Sequence, residues 1–178
     1  MRLGSHISVA GGLHNAFQRG ADATCDSIMI FTKSNRQWAA LALTEAAIAE
    51  YRAAAAAFAH IHPVAVHASY LINVASADPV LWQKSYDALR VEVERATAIG
   101  AGYLTFHPGA YTTGDERGGL TNIGRALRQL LRDTAGSEVK ICLETMAGQG
   151  STLGNRFEHL AELIDLGGGD ERLGVCFD

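Results

Sequence analysis

The chain has little of what staples, anchors or strongly charges a protein. Its three cysteines, Cys25, Cys142 and Cys176, form no close pair. That excludes a CxxC zinc knuckle and a disulfide framework and points to reduced thiols in a cytoplasm. The apolar runs are only strand-sized, and the opening MRLGSHISVAGG has neither a long apolar stretch nor a small-residue cleavage pattern. A membrane span and an export signal are therefore not expected. No low-complexity linker divides the chain, and the alanine run 53–57 reads as helix propensity. Positive charge is scarce too. Fifteen Lys and Arg against 19 Asp and Glu give a net charge of -4, whereas binding to a nucleic-acid backbone normally needs clustered cations. The deficit is uneven: residues 1–43 hold Arg2, Arg19, Lys33 and Arg36 against Asp22 and Asp26, net +2, and the remainder is net -6. Carboxylates that held metal ions would neutralise part of that acidity.

What is present is an alternation. With 178 residues, 48% of them hydrophobic, the chain suffices for one domain with a substantial core, and 1–178 reads as a single folding unit. Short β-type runs alternate with longer helical patterns, the signature of βα units around a parallel sheet. Six strands are predicted, over residues 3–9, 27–32, 63–67, 102–107, 139–144 and 173–178. Five helices are predicted, near 13–21, 45–60, 79–99, 120–135 and 156–166. Asp78 is a candidate N-cap with Pro79 at the first helical position, and Gly100 a C-terminal stop. Asn155 with Glu158 resembles a capping box. Gly136 and the run Gly167, Gly168, Gly169 close the last two helices.

Alternation within the strands favours a (β/α)8 TIM barrel over a doubly wound sheet. One face carries Val64 and Val66, Leu104 and Phe106, Ile141 and Leu143, Val175 and Phe177, bulky groups suited to packing on outer helices. The opposite face carries Ala65, Thr105, Cys142 and Cys176, small enough for a crowded barrel interior. Each of these lies two residues before a metal-ligating type, His67, His107, Glu144 or Asp178. In a parallel barrel the C-terminal strand ends form the rim where active sites lie, so these four groups would point into one pocket. A lone histidine at a strand end is more often a hydrogen-bonded core residue. Four such groups in succession point instead to a zinc or manganese site acting on an oxygen-rich substrate. Cys142 and Cys176 sit about 6–7 Å below the rim and read as filler; His60 and His62, at the opposite strand end, read as surface residues. His6, in the first strand, is a candidate for a place close around the metal or against the substrate, outside the ligand set.

The loops after these strands are FTKSNRQW at 31–38, HASYLIN at 67–73, HPGAY at 107–111 and ETMAGQGSTLG at 144–154. Together with SHISVAGG at 5–12 and the closing GVCFD, they make the chain resemble the endonuclease IV type apurinic/apyrimidinic endonucleases over essentially its whole length. The resemblance implies up to three zinc ions, with His67 and His107 on the first, Glu144 bridging two and acting in catalysis, and Asp178 on the second. It implies that Arg36 and Tyr70 probe DNA in the minor groove and help expel an abasic nucleotide, which has little stacking left to lose. Apart from the resemblance, Arg36 reads as a solvated charge and Tyr70 as a packed aromatic. Gln149, in the glycine-rich AGQGS segment, is a candidate phosphate contact.

The implied reaction is hydrolysis of the phosphodiester 5′ to an abasic site in double-stranded DNA by zinc-activated hydroxide, giving a 3′-hydroxyl and a 5′-deoxyribose phosphate. The complete protein is expected to be monomeric and cytoplasmic. A whole barrel takes about 250 residues and eight strands, so two strands and three helices are expected to be missing, with edges and apolar faces left open. Two other readings remain: a sugar isomerase or epimerase on a related metal-dependent barrel, and a metal- or DNA-binding fragment without activity. Ala68 and Thr145, beside two of the ligands, depart from the commonest wording of the resembled family.

Overall fold

The computed structural model describes residues 1–178. Its strands are β1 (Gly4–His6), β2 (Ser27–Ile30), β3 (Val64–His67), β4 (Tyr103–Phe106), β5 (Lys140–Glu144) and β6 (Leu173–Cys176). Between them run α1 (Asn15–Asp22), α2 (Glu45–Ala57), α3 (Pro79–Ile99), α4 (Glu116–Asp133) and α5 (Phe157–Leu166). All strand pairs are parallel and their spatial order equals their chain order, β1 to β6. A doubly wound sheet would reverse direction at a switch point. The unbroken order is that of a curling barrel wall, open between β1 and β6, as the strand alternation predicts.

That alternation is realised in the packing. Val66, Leu104, Phe106, Ile141 and Leu143 point outward and are fully buried under the helices, in one core with Leu89, Val93, Ile123, Leu127, Leu130 and Leu163. On β6 and just beyond it the same parity leaves Val175 and Phe177 exposed, with no helix covering them. The Phe157 ring stacks on that of Phe177 there, at 6.2 Å. Phe106→Ala is expected to cost roughly 3–5 kcal/mol, the usual penalty for emptying a filled aromatic site in a core. Chemical denaturation would check this, and a loss below about 1 kcal/mol would mean the core closes over the gap.

Local chemistry explains most boundaries. Asp78 caps α3 by accepting the Val80 N–H at 2.9 Å, with Pro79 in the first turn. Gly100 ends that helix in the left-handed region at φ 77. α4 begins at Glu116 rather than near Leu120, because the Asp115 carboxylate accepts the Gly118 N–H at 2.8 Å; two glycines in the first turn mask this start in the sequence. The expected capping box at Asn155 and Glu158 does not form. Arg156 occupies the N-cap without a side-chain bond, and the buried His159 ring accepts the Gly154 N–H at 3.3 Å. Strands β1, β2 and β6 are shorter than predicted, since their last apolar residues belong to rim loops rather than to the ladder.

Candidate metal centre

Period-two alternation sends His67 inward from the end of β3, His107 from just beyond β4 and Glu144 from the end of β5. The strand register sets their heights. His67 lies beside Thr105, and Phe106 beside Leu143, so His107 and Glu144 stand level while His67 enters one step lower. The three side chains converge, with one donor atom from each lying within 4.8 Å of the others. Glu144 Oε2 is 2.9 Å from His67 Nε2 and 3.3 Å from His107 Nε2.

Hydrogen bonding orients these three groups. A carbonyl can only accept, so the 2.7 Å contact between His67 Nδ1 and the Ala68 oxygen places the proton on Nδ1. Nε2 is thereby aimed at the cluster, the arrangement usual for metal-ligating histidines. This orientation uses the backbone of residue 68, so the alanine there does not weaken it. Burial would raise the Glu144 carboxyl, but hydrogen bonds from His107 and His67 and the charges of both rings bring it down to about 2. Burial would likewise lower His67, yet the bonds to Glu144 and Ala68, with the charges of Glu144 and Glu92, leave it above its ordinary value. Without a metal, protons bridge the cluster. Two imidazole nitrogens and a carboxylate oxygen at this spacing fit zinc as a replacement for them.

Other predicted residues are placed less centrally. The Tyr70 ring, half exposed, lies 5.2 Å from that of His67 and 5.4 Å from that of His107. Arg36 is exposed on the loop after β2. Gln149 is exposed at the tip of the loop after β5, where its carbonyl accepts both the N–H and the hydroxyl of Thr152. Asp178 lies outside the three-residue group. It is exposed beside a groove lined by Thr145, Met146, Arg156, Phe157 and Phe177, and its backbone N–H donates to the Thr145 hydroxyl at 2.9 Å. His60 and His62 are exposed, as expected.

The loops that carry these groups are tied together. Asn73 Oδ1 accepts the N–H groups of Ala75 and Ala110, and its amide donates to the Ala110 carbonyl. Gly109, at φ +109, allows this because a Cβ there would lie 2.4 Å from Asn73 Oδ1. His6, the candidate outside the ligand set, stacks 6.0 Å from His67 with its pKa lowered by burial and by the His67 charge. Two features escape the sequence reading. Phe31 packs against His6, His67 and Tyr70. The second is Glu92, fully buried on α3. A signal for it existed: it shares the apolar register of Leu89, Val93 and Ala96, where an acid must find a partner.

Known proteins share this fold. Residues 17–178 match the family described as xylose isomerase-like TIM barrel. A probable endonuclease 4 from Chloroflexus aurantiacus is 43% identical over 177 residues, 99% of this chain and 62% of the relative. The crystal structure of endonuclease IV from Thermus thermophilus superposes with a TM-score of 0.83 at 34% identity, over 100% of this chain and 62% of that one. A D-tagatose 3-epimerase-like protein gives a TM-score of 0.75 at 19% identity, covering 100% of this chain and 65% of that one, which shows the shared fold alone. The chain thus spans about 62% of the length of the endonuclease relatives. It belongs to the xylose isomerase-like TIM barrel family, and within it is similar to the endonucleases IV.

Proposed function

We propose that this chain carries the metal-binding and lesion-contacting part of a DNA-repair endonuclease that hydrolyses the phosphodiester 5′ to an abasic site, leaving a 3′-hydroxyl and a 5′-deoxyribose phosphate. The observation that carries the proposal is the convergence of His67, His107 and Glu144 within 4.8 Å at the barrel rim, on a chain similar to endonucleases IV over its whole length. His67 and His107 would hold one zinc, with Glu144 shared toward a second that Asp178 helps to hold. Zinc bound there supplies a Lewis acid and lowers the pKa of a coordinated water toward neutrality.

The chain's own residues do the rest. The low pKa of Glu144 keeps its carboxylate ionised at neutral pH, and the Ala68 carbonyl holds the His67 ring in the ligating tautomer. The half-exposed Tyr70 ring presents an aromatic surface beside the ligands, and Arg36 a free cation on the neighbouring loop. An abasic nucleotide, with little stacking to lose, is the one most cheaply turned out toward them. Gln149, exposed at the tip of the loop after β5, would meet a flanking phosphate. Residues 1–178 would form the first six strands of one barrel domain, acting on abasic duplex DNA as a monomer when whole. The three free cysteines suit a reducing cytoplasm.

The test is incision of a duplex with one abasic analogue, zinc present, with the new ends identified and affinity compared with an intact duplex. A cut 5′ to the lesion, with a 3′-hydroxyl, supports the proposal. Equal affinity for both duplexes, or turnover of a free ketose instead, overturns it.

A further inference from the structure

Glu92 is the only carboxylate among the buried residues, and the lysine it binds is hidden with it: the two side chains are 1% and 4% exposed. Both of its oxygens are engaged. Oε1 accepts from the Ser69 N–H at 3.0 Å and from Lys33 Nζ at 3.1 Å, and Oε2 accepts from the Thr32 hydroxyl at 3.2 Å. One turn further along α3, Arg95 donates to the Thr32 hydroxyl and carbonyl and, at 2.8 Å, to the Leu41 carbonyl. Lys33 Nζ also reaches the Gln37 carbonyl at 3.4 Å, and the Ser69 hydroxyl donates to the Asn35 carbonyl at 2.9 Å. One buried acid thus fastens two separate rim loops. Arg36 lies between the tied residues of the first, and Tyr70 adjoins Ser69 in the second.

Stability alone gives a weak reason for this arrangement. Desolvating two charges costs several kcal/mol, and a well-packed apolar pair of similar volume commonly serves as well. What an apolar pair lacks is direction. Rim loops without such ties sample many positions, and ordering them at each encounter costs affinity. Lys33 is also withdrawn from the cationic patch that the sequence shows in residues 1–43. Its charge is committed inside the protein and is unavailable to a phosphate.

We infer that the Lys33–Glu92 pair is a positioning device that locks the loop after β2 to the loop after β3, fixing Arg36 and Tyr70 relative to the His67, His107 and Glu144 cluster. The consequence for discrimination of abasic from intact duplex rests on the function proposed above; the coupling of the loops does not.

The test uses the full chain with zinc and the double variant Lys33→Met/Glu92→Leu, which removes both charges and leaves none buried unpaired. Glu92→Gln, which keeps the shape and one acceptor oxygen, is the second variant. Amide hydrogen exchange is expected to quicken together in residues 33–37 and 69–71, while zinc stoichiometry stays that of the parent. The preference for abasic over intact duplex is expected to fall roughly ten- to a hundredfold, the scale of an ångström-sized misplacement. Exchange that is unchanged in both variants, or that quickens in only one loop, overturns the inference. A purely structural role would lower the melting temperature and leave the duplex preference intact, which also counts against it. A parent chain with no duplex preference would instead defeat the proposed function, and the exchange data would still decide whether the pair couples the loops.

Discussion

Glu144→Ala is expected to abolish tight zinc binding and to lower incision on the order of 10³-fold or more, since a metal supplies several kcal/mol and each 1.36 kcal/mol is a decade in rate. Glu144 is the common partner of both histidines, at 2.9 and 3.3 Å, so its loss would remove the one carboxylate of the cluster and leave the two imidazoles unlinked. The metal-free protein carries an independent signature. His67 is 5% exposed, and burial alone lowers it. Its raised pKa depends chiefly on the hydrogen bond it donates to Glu144, helped by the Ala68 carbonyl and by the charges of Glu144 and Glu92. In the variant the His67 pKa should therefore fall. Zinc by equilibrium dialysis, incision, and ring titration by NMR measure these three quantities on one sample. Full zinc affinity in the variant would take Glu144 out of the metal site.

Proton competition should give the second large effect. The Glu144 pKa in the folded chain, about 2, lies below its ordinary 4.5. Its stabilising contribution is therefore complete above 4.5 and disappears as pH falls toward 2. The folded His67 value lies above 6.5, so its contribution is complete below 6.5 and disappears as pH rises through the raised value. The metal-free site thus stabilises the fold most between pH 4.5 and 6.5. Metal binding has the opposite sign, because the His67 proton must leave before Nε2 can ligate. Below the raised pKa, zinc affinity should fall about tenfold per pH unit for that proton alone as the pH is taken from neutral into the acid range. Isothermal titration across this range, in buffers of different ionisation enthalpy, would count the protons released. An affinity flat with pH would mean that His67 is not a ligand.

Parts of this site were legible because they depend on local periodicity. The inward positions of His67, His107 and Glu144 follow from period-two alternation at the ends of strands whose outward residues are Val66, Phe106 and Leu143. The caps at Asp78 and Gly100 were legible for a similar reason, since a cap is chemistry within a few residues. The start of α4 was hidden by Gly118 and Gly119, whose low helix propensity outweighed the Asp115 signal in the sequence but not in the fold. Asp178 shares the parity of the other three predicted ligands, yet it stands apart from their cluster. Parity fixes only the face of the sheet; the distance to a neighbour depends on register and curvature, which the residue string does not state.

By itself the sequence determined the βα order, the choice of a barrel over a reversing sheet, and which strand-end side chains face the interior. Each of these is set by alternation of side-chain size and polarity along a few residues. Only the tertiary structure decided that His67 Nδ1 is held by the Ala68 carbonyl, that His67, His107 and Glu144 close to within 4.8 Å, and that Lys33 turns inward to Glu92 instead of toward solvent. Those are pairings across 37 to 77 positions for His67, His107 and Glu144, and across 59 for Lys33 and Glu92. The energy of such a pairing depends on distance and desolvation, and both exist only after the strands are in register and the helices have covered them.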